Sequence, residues 1–329
     1  MRASSTQAFD VLVVGAGGAG LRAVIEARRP YVDISFMAED ALELSGLALE
    51  RGVTAVIDCG VAPGMSNLLC GHAVERLSPC ERLEIYVGGL PVVRRWPYDY
   101  KAPFAPHDVL EEYTRPARLV EDGRIVVREA LSEPELLEFE GVGTLEAFNT
   151  DGLRSLAYTL SVPWMKEKTM RYPGHIALMR VLRETGFFGK EPLSVHGATG
   201  VAAGPVGGSV SVRPIDVTAA LLFPKWTFED READLTVMRV TAIGREAGRR
   251  VRLQWDLLDH YDPETNTRSM SRTTGFPAAI VARWLLDKRF ERPGVHPPET
   301  IGKDPALVKA MLGELGARGV RYAESVRPA

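Results

Sequence analysis

The chain has 329 residues, 45% of them apolar, and its 40 Lys and Arg against 43 Asp and Glu give a formal net charge of −3. That length holds one or two domains with full cores, and the near-neutral balance without a strongly basic stretch argues against a nucleic-acid binder. Cys59, Cys70 and Cys80 fit neither a metal-ligand pair nor a small disulfide framework, so a reducing, cytoplasmic setting is the expectation.

Residues 9–14 (FDVLVV) form the short apolar run of a buried parallel strand, followed by a glycine turn and a helix over 21–28 that Pro30 stops. A second strand is predicted over 31–36, a helix over 39–51 closed by Gly52, and a third strand over 53–58. Strand, helix, strand, helix, strand is the pattern of a parallel sheet. Beyond Pro63 the texture changes: a helix over 65–77, a strand over 83–88, then a long loop rich in Pro and aromatics over 91–116. Further helices are predicted over 151–160 and 175–185, a hairpin pairs 235–244 with 250–259, and helices over 275–286 and 304–318 close the chain. The apolar runs 11–25 and 276–286 are broken by Arg22 and Arg283 and fall short of the roughly 18 residues of a membrane helix. The first of them reads as a nucleotide loop, not a secretion signal.

Three segments carry candidate chemistry. Gly15, Gly17 and Gly20 spell G-x-G-x-x-G between strand and helix, where the glycines allow a tight turn, close approach to a pyrophosphate and close helix packing. Asp33, Glu39 and Asp40 lie at the distance of a ribose acid, although Asp33 falls inside its strand. A glycine turn with no ligand is the plain alternative. The turn at 59–67, with Gly60, Pro63, Gly64 and Asn67, opens a helix at the carboxyl end of a strand and could face a nicotinamide or a substrate.

The third segment is the densest: Asn149, Thr150, Asp151 and Gly152, then 166–169, then Arg171, Tyr172 and His175. Arg offers a planar fork for a carboxylate, and His exchanges protons near neutral pH. The structural alternative makes Asp151 a helix N-cap, His175 a helix start, and Lys168 and Arg171 solvated strand charges. Lys101 and Gly89, in the turn 88–91, are similar cases. His196 and His260 have no partners at metal-ligand spacing, so no metal is assigned.

From Tyr31 onward the chain resembles the saccharopine dehydrogenase and lysine 6-dehydrogenase family. The runs that carry the resemblance are YVDISFMAE (31–39), DCGVAPGMSNLL (58–69), GGLP (88–91), TLEAFNTDGLRSL (144–156), EKTMRYPGH (167–175) and SMSRTTGFPAAIVA (269–282). The resemblance implies an α/β plus α+β protein: a shortened Rossmann-type parallel sheet (1–63), then a substrate domain with a mixed sheet (64–329) whose last helices can pack back on the first. It also implies NAD or NADP as cofactor, a small lysine-like amino acid oxidised or formed at a C–N bond, and a homodimer; the charge balance and the short apolar runs predict no nucleic-acid or membrane partner. Arg171 matches the arginine that binds the substrate carboxylate, and Asn149, Thr150, Asp151 and Gly89 fall in segments that match the pocket lining; Tyr172 is added as a substrate-binding residue, Thr150 and Asp151 are expected at the ammonium group, and Asp151 is counted among the catalytic residues. Gly60, Pro63, Gly64 and Asn67 match the turn between the domains, joining Gly15, Gly17 and Gly20 as cofactor residues. Lys101 and His175 are the candidate bases.

One departure stands out. Gly20 and Tyr31 are separated by ten residues, where a βαβ unit takes about 30 or more, so some two or three strands, on the order of 80 residues, are missing. Residues 9–27 instead resemble the opening of a succinate dehydrogenase or fumarate reductase flavoprotein, but one βα unit is too small to enclose a flavin. A shortened, inactive family member acting as a binding or dimerising module is therefore the second reading.

Overall fold

Among the described residues, a three-stranded parallel sheet and a nine-stranded mixed sheet organise the chain. The structure is a computed structural model and describes residues 17–35, 40–196 and 209–329. The predicted strand at 9–14, Gly15 and Glu39 lie outside the described residues. The first unit runs α1 (Gly17–Glu26), β1 (Tyr31–Val32), a 3-10 turn (Ala41–Leu44), α2 (Ser45–Arg51) and β2 (Thr54–Val56). Its core packs Leu21, Val24 and Ile25 of α1 against Tyr31, Ala55 and Val295. Gly52, at φ +68, ends α2 in the left-handed conformation that glycine adopts without a Cβ penalty.

Then follow α3 (Met65–Arg76), β3 (Cys80–Pro91), α4 (Pro106–Thr114), β4 (Ala117–Glu121), β5 (Arg124–Arg128), β6 (Glu135–Phe139) and β7 (Gly143–Asn149). The middle holds α5 (Leu156–Thr159), β8 (Trp164–Arg171), α6 (His175–Glu184), β9 (Leu193–His196), β10 (Ser209–Val212) and α7 (Pro214–Trp226). The last part is β11 (Asp234–Glu246), β12 (Arg249–His260), α8 (Ser269–Leu286), β13 (Gly294–His296), α9 (Pro298–Gly302), α10 (Pro305–Ala317) and β14 (Tyr322–Pro328).

The mixed sheet has the order β14-β12-β11-β3-β8-β4-β5, and β7, carrying β6, pairs with the far half of β8. Only β3 and β8 run parallel; the other pairs are antiparallel. Alternation along the strands sends Leu83, Ile85, Met165, Met238 and Val240 to the face covered by α3 and α8, the largest core. Tyr86, Met170, Leu235 and Val237 go to the other face, beneath β6 and β7. Strand β13 leaves this region and joins the first sheet, parallel to β2 with Gly294 opposite Thr54.

Three sequence expectations are corrected here. Residues 151–160 were predicted helical, but only Leu156–Thr159 are, because the backbone at 150–152 is tied to β8 and Arg154 takes φ +51. The loop at 91–116 contains α4, opened by Pro106 in the first turn, where its missing N–H costs nothing. Lys168 and Arg171, weighed as solvated strand charges, are 3% and 1% exposed.

Candidate functional site

On β8 the two-residue period places Glu167, Thr169 and Arg171 on one face, all buried. Thr150, just past β7, donates its hydroxyl to Glu167 Oε2 at 2.6 Å and lies 2.9 Å from the Thr169 hydroxyl. The Gly152 amide donates to the same Oε2 at 3.1 Å. Position 152 requires glycine, since a Cβ there would come within 2.3 Å of Glu167 Cδ. These neutral donors do not offset the loss of water, and burial lifts the Glu167 carboxyl to about 8. Glu167 therefore holds a proton at neutral pH.

Arg171, buried at the end of β8, bonds through all three of its nitrogens. Its Nη2 donates to Glu112 Oε2 of α4 at 2.6 Å, Nε to the Tyr113 hydroxyl at 3.3 Å, and Nη1 to the Met170 carbonyl at 3.0 Å. Its guanidinium lies 4.5 Å from the ring centre of Tyr100. The Tyr113 oxygen is 2.8 Å from His175 Nε2, and His175 Nδ1 is 3.0 Å from the Tyr98 carbonyl. A carbonyl only accepts, so the ring N–H sits on Nδ1 and Nε2 accepts the Tyr113 proton. Burial, with the charge of Arg171, pushes the imidazole down to about 3. His175 is thus a neutral link in a chain from Arg171 to Tyr98, with both nitrogens occupied, which argues against the base role expected of it.

Other selected residues are distributed differently. Asp151 accepts from both Arg118 Nε and Nη2 at 2.8 Å and from the Arg118 amide at 3.2 Å, so it neither caps a helix nor presents a free carboxylate. Asn149 pairs across the strands with Lys168 on the opposite face and gives its Nδ2 to Ser132 Oγ and Glu133 Oε2. The Tyr172 hydroxyl donates to the Pro91 carbonyl at 3.0 Å. Gly89 lies beneath Pro103 and Met270, each of which a Cβ would meet at 2.5 Å. Lys101 is ion-paired with Glu232 and lines a cavity of about 380 Å³ together with Tyr98 and Tyr100.

At the carboxyl ends of β1 and β2, Asp33 accepts from the Tyr31 hydroxyl at 2.5 Å and the Asp58 amide at 3.1 Å, and is fully buried. Asp58 in turn accepts from Arg154 at 3.3 Å, which ties this edge to the segment carrying Thr150. In the turn that follows, a Cβ on Gly64 would lie 2.0 Å from the Gly60 carbonyl oxygen, so the two backbones close on each other. Asn67 accepts from the Gly64 amide and the Ser66 hydroxyl and donates to Ser155 Oγ at 3.5 Å and Glu299 Oε2 at 3.4 Å. Gly60, Pro63, Gly64 and Asn67 thus form a joint between the sheets, and the side chain of Asn67 is committed to it.

Glu167 lies within the candidate stretch 166–169 but has no role assigned from sequence, and Glu112 belongs to no candidate segment. Alternation through 167–171 could have separated Glu167, Thr169 and Arg171 from their neighbours, but no local pattern shows which face of β8 is covered. Glu112 lies 59 positions from Arg171, so nothing in its own segment announces the pairing.

A short parallel sheet is thus joined to a large mixed sheet, with a buried polar seam beside the joint. Residues 60–320 match the model of the saccharopine dehydrogenase C-terminal domain, and the chain belongs to the saccharopine dehydrogenase family. It is 22% identical over 365 residues to a saccharopine dehydrogenase [NADP(+), L-glutamate-forming] of Pyricularia oryzae, covering 90% of this chain and 79% of that one. It is 23% identical over 348 residues to the mitochondrial alpha-aminoadipic semialdehyde synthase of Mus musculus, covering 85% of this chain but only 36% of the mouse protein. Both alignments are longer than the 329 residues of this chain, so the relatives carry segments it lacks.

Among solved structures, the apo saccharopine dehydrogenase (L-Glu forming) of Saccharomyces cerevisiae superposes with a TM-score of 0.72 at 18% identity, over 94% of this chain and 82% of that one. The homospermidine synthase of Legionella pneumophila, solved in complex with NAD, gives 0.62 at 10% identity, over 96% and 75%. The described residues fit a nicotinamide dinucleotide in one respect and not in another. Among the described residues α1 runs from Gly17, and the N-terminal end of a helix attracts phosphate. Asp33, buried and already accepting two hydrogen bonds, is not a ribose ligand.

Proposed function

We propose that the chain is an NAD(P)-dependent oxidoreductase acting on the C–N bond of a lysine-like amino acid. The observation that carries this reading is the buried seam of Thr150, Glu167 and Thr169 beside the joint of the two sheets, in a chain of this family. A bound nicotinamide would accept hydride from the carbon bearing the substrate amine. The glycine loop leading into α1 would hold the pyrophosphate. Glu167 would be the proton-exchanging group, its carboxyl poised near neutrality, with the Thr150 hydroxyl 2.6 Å away to hand the proton on. Lys101 is held by Glu232, which leaves it better suited to binding charge than to taking a proton.

The second reading, a shortened member that binds without turnover, draws on the ten residues between Gly20 and Tyr31 and on the commitment of Asp33 and Asn67 to internal bonds. Fluorescence titration with NADH and NADPH, with FAD as control, separates the two. Micromolar binding of one nicotinamide followed by lysine or saccharopine oxidation, lost in Glu167→Gln, supports the enzyme. Absence of binding by either nicotinamide leaves only the binding module.

A further inference from the structure

Arg171, the expected carboxylate anchor, already has a carboxylate: Glu112 accepts from its Nη2, its Nε and Nη1 each donate once, to the Tyr113 hydroxyl and the Met170 carbonyl, and it is 1% exposed. A substrate carboxylate arriving there would have to displace a buried internal partner, leaving Glu112 unpaired. The cavity on the other side of Tyr100 presents the opposite situation. Lys101 lines it and gives one of its three ammonium N–H groups to Glu232. Lys225 also lines it and forms no ion pair among the described residues, while Arg95 meets Glu229 only at 3.7 Å with both side chains largely exposed. Such a surface pair is weak, and Arg95, Lys101 and Lys225 set against Glu229 and Glu232 leave the wall one net positive charge.

The remaining wall is aromatic. Tyr98, Tyr100 and Phe228 line the cavity, and Trp96 stands at it 90% exposed, unusual for so large an apolar side chain. Behind this wall two buried polar atoms, the Tyr100 hydroxyl and Glu232 Oε1, find no partner among the described residues. The volume, about 380 Å³, lies within the range of small-molecule sites.

We propose that this cavity is the carboxylate-binding subsite, taking the carboxylate of an amino acid on Lys101 and Lys225 with its carbon chain against Tyr98 and Phe228. This rests on the amino-acid reading above. Arg171 then acts as a positioning residue, holding the Tyr100 wall through its guanidinium stacked 4.5 Å from the ring and through the chain to Tyr98 by way of Tyr113 and His175.

The test is calorimetric titration of the full chain with L-lysine and with cadaverine, which is lysine without its carboxylate. Two variants are compared: Lys101→Met/Glu232→Gln, which removes the ion pair without stranding a buried charge, and the single Lys225→Met. NADH titration is run alongside on each protein. The expected result is lysine binding about tenfold or more weaker in the double variant and several-fold weaker in Lys225→Met, with cadaverine bound far more weakly than lysine by the parent chain. Lysine affinity unchanged within twofold in both variants, equal affinity for cadaverine, or no lysine binding by the parent chain overturns the proposal. The functional reading fails separately: lysine binding that depends on Lys101 in a chain that binds no nicotinamide keeps the subsite and removes the enzyme. Undiminished lysine turnover in the double variant keeps the enzyme and removes the subsite.

Discussion

Glu167 carries the most informative ionisation in the site. Its carboxyl keeps a proton up to about pH 8, whereas an unfolded glutamate releases it near 4.5. Between those values the folded chain binds more protons than the unfolded one, so this residue makes stability fall as pH rises through the window and adds no further change above it. At 1.36 kcal/mol per unit the loss is on the order of 5 kcal/mol. Urea unfolding of the parent chain at pH 5 and pH 8 reads the slope, and Glu167→Gln, which cannot ionise, should flatten it. Equal slopes in the two proteins would show that the carboxyl titrates normally. The sequence marked Arg171, His175 and Asp151 as chemical because their side chains are. Their partners, Glu112, Tyr113 and Arg118, belong to α4 and β4 and become visible only when those elements close over β8.

Among the elements, the contact of α3 with α9 shows how closely two backbones can be brought together. A Cβ on Gly71 would come within 2.2 Å of the Glu299 carbonyl oxygen, and one on Gly302 within 2.0 Å of the Leu68 carbonyl oxygen. Alanine at 71 would gain up to about 1 kcal/mol of helix propensity, but the contact is with backbone that cannot rotate away, and overpacking of this kind costs about 1–3 kcal/mol. Gly71→Ala is therefore expected to lower stability by roughly 1 kcal/mol or more, measured as a lower urea midpoint at unchanged slope. A stabilised variant would mean that α9 sits farther from α3.

Elements with strong periodicity were legible: the helix predicted over 65–77 is Met65–Arg76, that over 304–318 is Pro305–Ala317, and the hairpin at 235–259 falls within β11 and β12. Those held by distant contacts were not. Residues 151 and 152 look helical until Glu167 claims the Gly152 amide, and β13, three residues long, is too short to leave a pattern.

At the scale of the molecule, the first sheet is completed from far along the chain. The Ile57 amide donates to the His296 carbonyl at 3.2 Å, and β13 covers the edge of β2 with Val295 in the core. Contacts of such separation form late, after the loop-closure entropy is met. Pulse-labelled hydrogen exchange during refolding should therefore show Ile57 gaining protection together with the amides of α10 and after those of α3. Protection of Ile57 ahead of α10 would mean that the small sheet forms by itself.

The same connection bears on synthesis at the ribosome. Residues 54–56 emerge about 240 residues before the strand that covers them, a wait on the order of ten to fifty seconds at ordinary elongation rates. Throughout that interval β2 offers an unpaired apolar edge to any neighbouring nascent chain. The chain's yield in a cell is thus tied to how well that one edge is sheltered before its own distant strand arrives.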